Sequence, residues 1–276
     1  MFCTIINDCL DGNAVGRQCT RVASLVGVSP TFVGVGGKLS ENNLYDRAEI
    51  EAAGCLVDVL DATEGREGLV LVNVANRHAK GKRWENGTPF GYFWHGETLV
   101  VSTIDGVVLS LIKKMGISDH IKVMDVGRVM HYLANDQFCT REVAEHVTHT
   151  QFRSYDFTPR VGAYLLKNRE VPHNTDYFAV ADYLVEISSC VWYVDNFGNV
   201  KTTILPTEIN FAVGKKIRTI FGEIKCYERL KDVPNGETGL IIGSSGIGEK
   251  RFVELVVQGL SASEKYGLSV GQKIIA

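Results

Sequence analysis

Two strand-like segments flank a polar turn in the stretch Tyr193-Val-Asp-Asn-Phe-Gly-Asn-Val-Lys-Thr-Thr-Ile204. Asn, Asp and Gly tolerate positive φ and hydrogen-bond their own backbone, so this string is typical of a turn. A turn alone does not need a phenyl ring beside two amides and a carboxylate. That combination suits a flat ligand with a polar edge, such as a purine, because the ring can stack while an amide contacts the edge. A simple hairpin turn is the alternative interpretation.

The chain around this turn consists of short β-type runs separated by glycine-containing turns, and helix signal is nearly absent. This pattern predicts a small all-β barrel or sandwich. The predicted strands are Val185–Tyr193, Val200–Ile204, Lys216–Phe221, Glu223–Tyr227, Thr238–Ile242, Phe252–Val257 and Gly271–Ile275.

The first part of the chain alternates strand and helix signals instead. Gly68–Val74 is almost continuously apolar, which is typical of a parallel strand buried on both faces. The other predicted elements are a strand at Phe2–Asn7, helices at Ala14–Val26, Tyr45–Leu60 and Val107–Met115, and a hairpin of Gly91–Trp94 with Thr98–Ser102. This alternation predicts an α/β domain with a central, mostly parallel sheet. We expect this domain at 1–166, a linker at 167–182 and a smaller all-β barrel domain at 183–276.

Composition excludes several classes of partner. The chain has 276 residues and a net charge of −3, so no broad basic field indicates nucleic acid. No apolar run is long enough to span a bilayer, and no signal peptide is evident, which predicts no membrane partner. The seven cysteines are scattered without a CxxC pair, so neither a disulfide framework nor a zinc knuckle is expected. The default compartment is a reducing cytoplasm.

Polar residues follow the first predicted strand in Asn7-Asp8-Cys9-Leu10-Asp11-Gly12-Asn13. Ligands of open α/β sheets lie beyond the carboxyl ends of the strands. Carboxylates and amides at that position suit a ribose diol or an ammonium group. Capping of the following helix is an equally ordinary role for Asp11 or Asn13, whereas for Asp8 a ligand contact is favoured.

Three other clusters suggest different chemistry. Gly243–Lys250 comes close to a P-loop, but the next segment is predicted to be a strand, and a P-loop needs a helix there. Its serines nevertheless offer hydroxyls to a carboxylate. His146 and His149 have metal-ligand spacing, yet an exposed helix face is favoured because no third ligand is evident. The cationic run Arg77–Arg83 is either a solvated loop or an anion contact.

At this point the chain resembles the S-adenosylmethionine hydroxide adenosyltransferases, which share a superfamily with the fluorinase and chlorinase enzymes. The most specific motif is Asp195-Asn-Phe-Gly-Asn-Val-Lys-Thr-Thr203, where Thr203 replaces the family's Asn. Further matches are Ile242-Gly-Ser-Ser-Gly246 and the tail Leu260–Gly271. The resemblance implies an N-terminal α/β domain, a C-terminal β-barrel, and a homotrimer that holds S-adenosylmethionine between subunits. The nucleoside is the substrate, and neither a cofactor nor a metal is implied.

The resemblance also implies a role for each residue of the binding site. Carboxylates attract the sulfonium and ammonium groups, and aromatic faces stack the base. The implied contacts are Asp8 with the ribose hydroxyls, Asn13 with the methionine portion, Asp195 with the ammonium, Ser244 and Ser245 with the carboxylate, Phe197 and Tyr227 with the adenine faces, and Asn199 and the backbone of Gln258 and Gly259 with the adenine edge.

The catalytic positions depart from the family. Asn73 stands where the hydrolytic branch has an Asp, and Arg153 stands where it has a His. Neither side chain accepts a proton at neutral pH. Arg77, Lys80 or Arg153 is expected to stabilise hydroxide, and Ser154 falls where the halogenating branch has a serine. The expected reaction is hydrolysis to adenosine and L-methionine. A halide-using variant and a non-catalytic binding protein are the alternatives.

Overall fold

The computed structural model of the chain describes residues 1–36, 47–74, 88–168, 170–173, 178–179 (backbone only) and 185–275. Two of the predicted catalytic residues, Arg77 and Lys80, lie outside these ranges.

The elements before residue 180 alternate between strands and helices. The strands are β1 (Phe2–Asn7), β2 (Thr31–Gly34), β3 (Gly68–Asn73), β4 (Phe90–His95), β5 (Thr98–Thr103), β6 (His120–Met124) and β7 (Phe178–Ala179). The helices are α1 (Gly12–Val26), α2 (Arg47–Thr63), α3 (Ser110–Met115), α4 (Val126–Asn135), α5 (Arg141–His149), α6 (Arg153–Asp156) and α7 (Thr158–Asn168).

These strands form one sheet in the order β2-β1-β3-β5-β4-β6-β7. β2, β1, β3 and β5 are parallel neighbours, and β4 is antiparallel to both β5 and β6. β7 is antiparallel to β6, so every strand except β4 and β7 runs in one direction. The predicted mostly parallel sheet is confirmed, as is the β4–β5 hairpin.

The sheet is buried on both faces, which explains the continuous apolar character of its central strands. Ile5 and Leu69 belong to a core shared with α1, α4, α5 and α7. Ile6 and Val70, one residue further along each strand, belong to the opposite core with α2 and α3. Because neighbouring side chains of a strand point to opposite faces, each strand contributes to both cores.

The second part of the chain is all-β apart from short helical turns. Its strands are β8 (Val191–Val194), β9 (Val200–Thr202), β10 (Lys216–Thr219), β11 (Gly222–Lys225), β12 (Thr238–Ile247) and β13 (Lys250–Val257), followed by the helix α8 (Ala262–Tyr266). β12, β13, β9 and β8 form an antiparallel sheet in that order, and β10 pairs with β11.

Backbone contacts join these pieces into a ring. Cys226, just after β11, pairs with Leu240 of β12, and Thr219 of β10 pairs with Ile275. Val191 of β8 exchanges backbone hydrogen bonds with the segment that leads to Ile275. The strands therefore close on themselves, which confirms the predicted C-terminal β-barrel.

Several predicted bounds are wrong. The helix predicted from Val107 begins at Ser110, because 106–109 form a turn in which Gly106 has a φ of +67°. The strand predicted from Val185 begins at Val191, and the predicted closing strand contributes only a bridge at Ile275. The domain boundaries stay predictions. Within the proposed linker, α7 continues to its end at Asn168 and β7 pairs with β6.

Helix α2 packs against β8 and β12, and Gly54 is the point of closest approach. A Cβ on Gly54 would lie 2.1 Å from the ring of Trp192, which is 3% exposed. The absence of a side chain at this position therefore lets the helix and the barrel meet.

Replacing Gly54 by alanine is expected to lower the free energy of unfolding by about 1–3 kcal/mol, because the core has no room for the methyl group. This outcome opposes helix propensity, which favours alanine over glycine by roughly 1 kcal/mol. Gly16→Ala in α1 is the matched control, since a Cβ there meets nothing within 4 Å. Urea denaturation of both variants checks the prediction, and equal stabilities would contradict it.

Candidate functional site

The turn between β8 and β9 is held by the carboxylate of Asp195. Its Oδ1 accepts hydrogen bonds from the backbone N–H groups of Phe197 and Asn199, both at 2.9 Å, and its Oδ2 accepts one from Asn199 Nδ2 at 3.0 Å. Gly198 completes the turn with a φ of +81°. The hairpin-turn interpretation is therefore correct for the backbone. The carboxylate of Asp195 already accepts three hydrogen bonds. Its contact with an ammonium group stays a prediction.

The same turn places Phe197 at the surface, with 73% of the residue exposed. Phe197, Asn199 and Gly259 line one cavity of ≈ 530 Å³, together with Leu230, Val257, Leu260 and Ser261. Three of the predicted binding residues thus meet in one place. The amide of Asn199 donates one hydrogen bond to Asp195 and retains an N–H and an oxygen for a ligand. An exposed ring beside an amide, within largely apolar walls, suits a flat aromatic ligand.

Sequence reasoning missed the cavity residues Leu230, Val257, Leu260 and Ser261. Ser261 is the N-cap of α8 and accepts a hydrogen bond from Glu264 N at 3.1 Å. The Ser-x-x-Glu spacing of Ser261 and Glu264 is the capping signal that could have located this helix start. Gly198 packs directly on the cap, because a Cβ on Gly198 would lie 2.0 Å from Ser261 Oγ. The turn and α8 therefore position each other.

Two of the predicted adenine contacts, Tyr227 and Gln258, are not among the residues that line this cavity. Tyr227 packs on Gly239, where a Cβ would lie 2.8 Å from its ring. Gln258 uses its backbone for the barrel: its carbonyl accepts from Gly236 N and its N–H donates to Glu237 O. The contact of Tyr227 with an adenine face stays a prediction. So does the contact of the Gln258 backbone with the adenine edge.

In the N-terminal domain, Asp8 and Asn73 come together at the carboxyl edge of the sheet. In the pairing of β1 with β3, Asn7 lies opposite Asn73. The two segments that follow these strands therefore leave the sheet side by side. Asp8 follows directly and is partly buried. The edge is where ligands of open α/β sheets bind. Asp11 instead caps α1, accepting from Ala14 N at 2.9 Å.

Asn13 is the second residue of α1, the helix that follows β1. It lines a second cavity of ≈ 450 Å³, together with Arg17 and Arg21 of the same helix and Tyr155 of α6. The structure therefore gives Asn13 cationic neighbours that the sequence did not anticipate.

Arg153 and Ser154 begin the short helix α6. The Nε of Arg153 is buried and has no hydrogen-bond partner within the described part of the chain. Burial lowers the pKa of the Arg153 guanidinium, and the charge of Asp125 opposes this effect. Asp125 follows β6, which runs in the same direction as β1 and β3, so Arg153 lies near a carboxylate of the same sheet edge.

His146 and His149 sit on the exposed face of α5, as the alternative to metal binding predicted. His149 Nε2 lies 2.9 Å from Glu145 Oε1, and the two histidine side chains are 72% and 73% exposed. Among the described residues, no group of three or more His, Cys, Asp or Glu could hold a metal ion.

Comparison with known proteins shows which family the barrel resembles. Residues 189–275 match the family model of the SAM hydroxide adenosyltransferase C-terminal domain. This segment is therefore similar to an adenosyltransferase C-terminal domain. It contains the Asp195–Thr203 motif and the complete Phe197 cavity. The resemblance seen in the sequence is thus confirmed for residues 189–275.

Two solved structures resemble the whole chain. An uncharacterized conserved protein from Thermotoga maritima has a TM-score of 0.63 at 16% identity, with 99% of this chain and 100% of that one covered. A conserved hypothetical protein from Thermus thermophilus has a TM-score of 0.55 at 16% identity, with 99% of each chain covered. At this identity the likeness concerns the fold alone. No curated protein matches the chain. None of the described helices has the length and apolarity needed to cross a membrane.

The C-terminal domain contacts α2 through Ser245, one of the two predicted carboxylate-binding serines, and Ser244 lies beside it. Ser245 is 2% exposed, and its Oγ donates to Asp58 Oδ2 of α2 at 2.9 Å. Lys201 Nζ lies 3.0 Å from Ser245 Oγ, 3.4 Å from Ser244 Oγ and 2.9 Å from Glu254 Oε1. Neither serine is among the residues that line the Phe197 cavity. Their contact with a substrate carboxylate stays a prediction, and the described role of Ser245 is to join the two domains.

A second ion pair lies beside this contact. Arg251 of the C-terminal domain donates to both carboxylate oxygens of Asp61, at 2.7 Å and 3.2 Å. Desolvation alone would raise the pKa of Asp61, but the hydrogen bonds from Arg251 and Gly248 and the charge of Arg251 lower it overall. Burial raises the pKa of Asp58, and the hydrogen bonds from Gly246 and Ser245 only partly offset this rise.

The raised pKa of Asp58 predicts a pH dependence of the domain contact. The pKa of Asp in an unfolded chain is about 3.9. The stability that Asp58 contributes is therefore fully present below that pH and is lost as pH rises through its higher folded pKa. We expect wild type to lose stability over this window relative to Asp58→Asn, which does not titrate. Urea denaturation of both proteins from about pH 3.5 to pH 7 gives the difference between their free energies of unfolding at each pH. A difference that is constant with pH would contradict the prediction.

Proposed function

We propose that the chain binds S-adenosylmethionine and hydrolyses it to adenosine and L-methionine. The observation that carries the proposal is the cavity in which Phe197 and Asn199 meet, within a domain matched to the adenosyltransferase family. Base–aromatic stacking on Phe197 would hold the adenine, and the Asn199 amide would contact its edge. Asp8, in the N-terminal domain, would take the ribose hydroxyls in a homotrimer whose sites lie between subunits.

The proposed chemistry is a direct displacement. The oxygen of a water or hydroxide forms a bond to the ribose C5′ while the C5′–sulfur bond breaks. The bonding pair passes to sulfur, giving the neutral thioether of methionine, and the water's proton is released to solvent. Because the sulfonium leaves without protonation, the reaction depends on positioning the nucleophile and stripping its solvent. This requirement is compatible with Asn73, whose amide can hydrogen-bond water but cannot take its proton.

The test is incubation of the purified protein with S-adenosylmethionine in chloride-free buffer, with chromatography of the products. We expect adenosine and methionine in equal amounts, with ¹⁸O from labelled water in the 5′-hydroxyl. Absence of adenosine would overturn the hydrolase. Phe197→Ala should reduce turnover, and Phe152→Ala is the matched control, because Phe152 is also a largely exposed phenylalanine.

A halide nucleophile is the second candidate. The buried Nε of Arg153 lacks a hydrogen-bond partner among the described residues, and Ser154 is adjacent. Buried N–H donors without a partner are rare, and a small anion would satisfy this one. A 5′-halo-adenosine formed in chloride or fluoride buffer would favour this candidate over hydrolysis. Stabilisation by adenosine without any product would instead favour a non-catalytic binding protein, in keeping with the loss of a proton acceptor at Asn73 and Arg153.

A further inference from the structure

A second cavity lies on the outer surface of the N-terminal domain, between α1 and α6. Its volume is ≈ 450 Å³, and its polar lining is Asn13, Arg17, Thr20, Arg21, Ser24 and Tyr155. It shares no lining residue with the Phe197 cavity. Its size falls within the range of small-molecule sites. An inference from this cavity does not depend on the proposed hydrolase activity.

The cavity is built around two arginines held on one aromatic ring. The guanidinium carbons of Arg17 and Arg21 lie 4.3 Å and 4.2 Å from the centroid of Tyr155. Arg21 is fixed further, because its Nη2 donates to Tyr155 Oη at 2.7 Å. Stacking on a ring leaves the edge of a guanidinium, with its N–H donors, free to bind a ligand. The ring therefore pre-organises two forked donors one helical turn apart.

Positive charge exceeds negative charge at this place. The buried carboxylate of Asp156 has Arg21 at 3.4 Å and Arg160 at 3.8 Å, and Arg17 adds a third guanidinium beside them. His146 lies 3.7 Å from the same carboxylate and would add charge if protonated. Like charges four residues apart on a helix repel each other. No carboxylate is among the residues that line the cavity, and the nearby Asp11 caps α1.

The remaining lining supplies hydrogen-bond donors without steric obstruction. Thr20 and Ser24 contribute hydroxyls, and Asn13 contributes an amide. The helix surface is open at Gly12 and Gly16, since a Cβ at either position would meet nothing within 4 Å. Forked guanidinium groups with hydroxyls match the tetrahedral oxygens of a phosphate. We propose that this cavity binds a phosphorylated small molecule through its phosphate group. The volume beyond a phosphate holds the organic part.

The experiment is isothermal titration of the full chain with ribose 5-phosphate, with free ribose and succinate as comparison ligands. We expect wild type to bind ribose 5-phosphate and neither comparison ligand. Arg17→Gln should weaken binding about 10- to 100-fold, because a charge-assisted hydrogen bond is lost. Arg17→Lys should recover part of the affinity. Arg66→Gln is the matched control: it removes the same charge from a side chain that is 78% exposed elsewhere on the surface.

Four outcomes would overturn the proposal. They are the absence of binding by ribose 5-phosphate, equal binding of succinate, equal weakening in Arg66→Gln, and weakening of adenosine binding by Arg17→Gln. The last outcome would assign the cavity to the nucleoside site, where the family resemblance puts Asn13. Unchanged adenosine affinity in Arg17→Gln, with lost phosphate affinity, supports a separate site.

Discussion

Replacing Lys201 by methionine is expected to lower the free energy of unfolding by about 3–5 kcal/mol, the usual effect of removing one partner of a buried ion pair. The side chains of Lys201 and Glu254 are only 14% and 8% exposed, and they meet at 2.9 Å. Without the ammonium group, the carboxylate of Glu254 stays buried and has lost its ion-pair partner. Ser245 also loses a donor at 3.0 Å. The contact between the barrel and α2 should therefore weaken together with the barrel itself.

Chemical denaturation followed by fluorescence measures this effect, and two further variants make it specific. The double variant Lys201→Met/Glu254→Leu removes both charges and should recover most of the lost stability, because the buried carboxylate of Glu254 is removed together with its partner. Lys122→Met is the matched control: its partner Glu170 is 63% exposed, and the expected loss is about 0–1 kcal/mol. Equal losses in Lys201→Met and Lys122→Met would show that the burial of the pair has no consequence.

The elements that sequence reasoning placed correctly are those whose signal is local. β3 is a continuous apolar run, and α1 carries apolar residues at helical spacing up to a glycine at its end, so both were found within two residues. β2 and β6 were missed because strands of only four or five residues carry little periodicity. Closure of the barrel depends on the bridge from Thr219 to Ile275, and no local pattern specifies such a long-range contact.

The candidate site divides in the same way. The turn at Asp195–Asn199 was recognised because its five residues are contiguous and include a phenyl ring that a turn does not require. Leu230 reaches the cavity only through the packing of the barrel, so its contribution has no sequence signal. Ser245 was expected to meet a ligand, yet its hydrogen-bond partner Asp58 lies 187 residues earlier in the chain. Serine hydroxyls suit both roles equally, and only the tertiary structure distinguishes them.

Phe197→Ala is expected to weaken adenosine binding roughly 5- to 150-fold, because stacking of a base on an aromatic ring contributes about 1–3 kcal/mol. The ring is 73% exposed, so its removal should leave the free energy of unfolding almost unchanged. Phe197→Tyr should retain most of the affinity, since the face of the ring is preserved. Isothermal titration with adenosine measures all three proteins.

Phe152→Ala supplies the comparison that separates stacking from a general loss of apolar surface. Phe152 is 66% exposed and does not line the Phe197 cavity, so its removal should leave adenosine binding unaltered. If Phe197→Ala and Phe152→Ala bind adenosine equally well, the exposed ring of the turn has no role in ligand binding. A loss of adenosine affinity in Phe197→Ala but not in Phe152→Ala would show that the exposed ring of the Asp195–Asn199 turn binds the base.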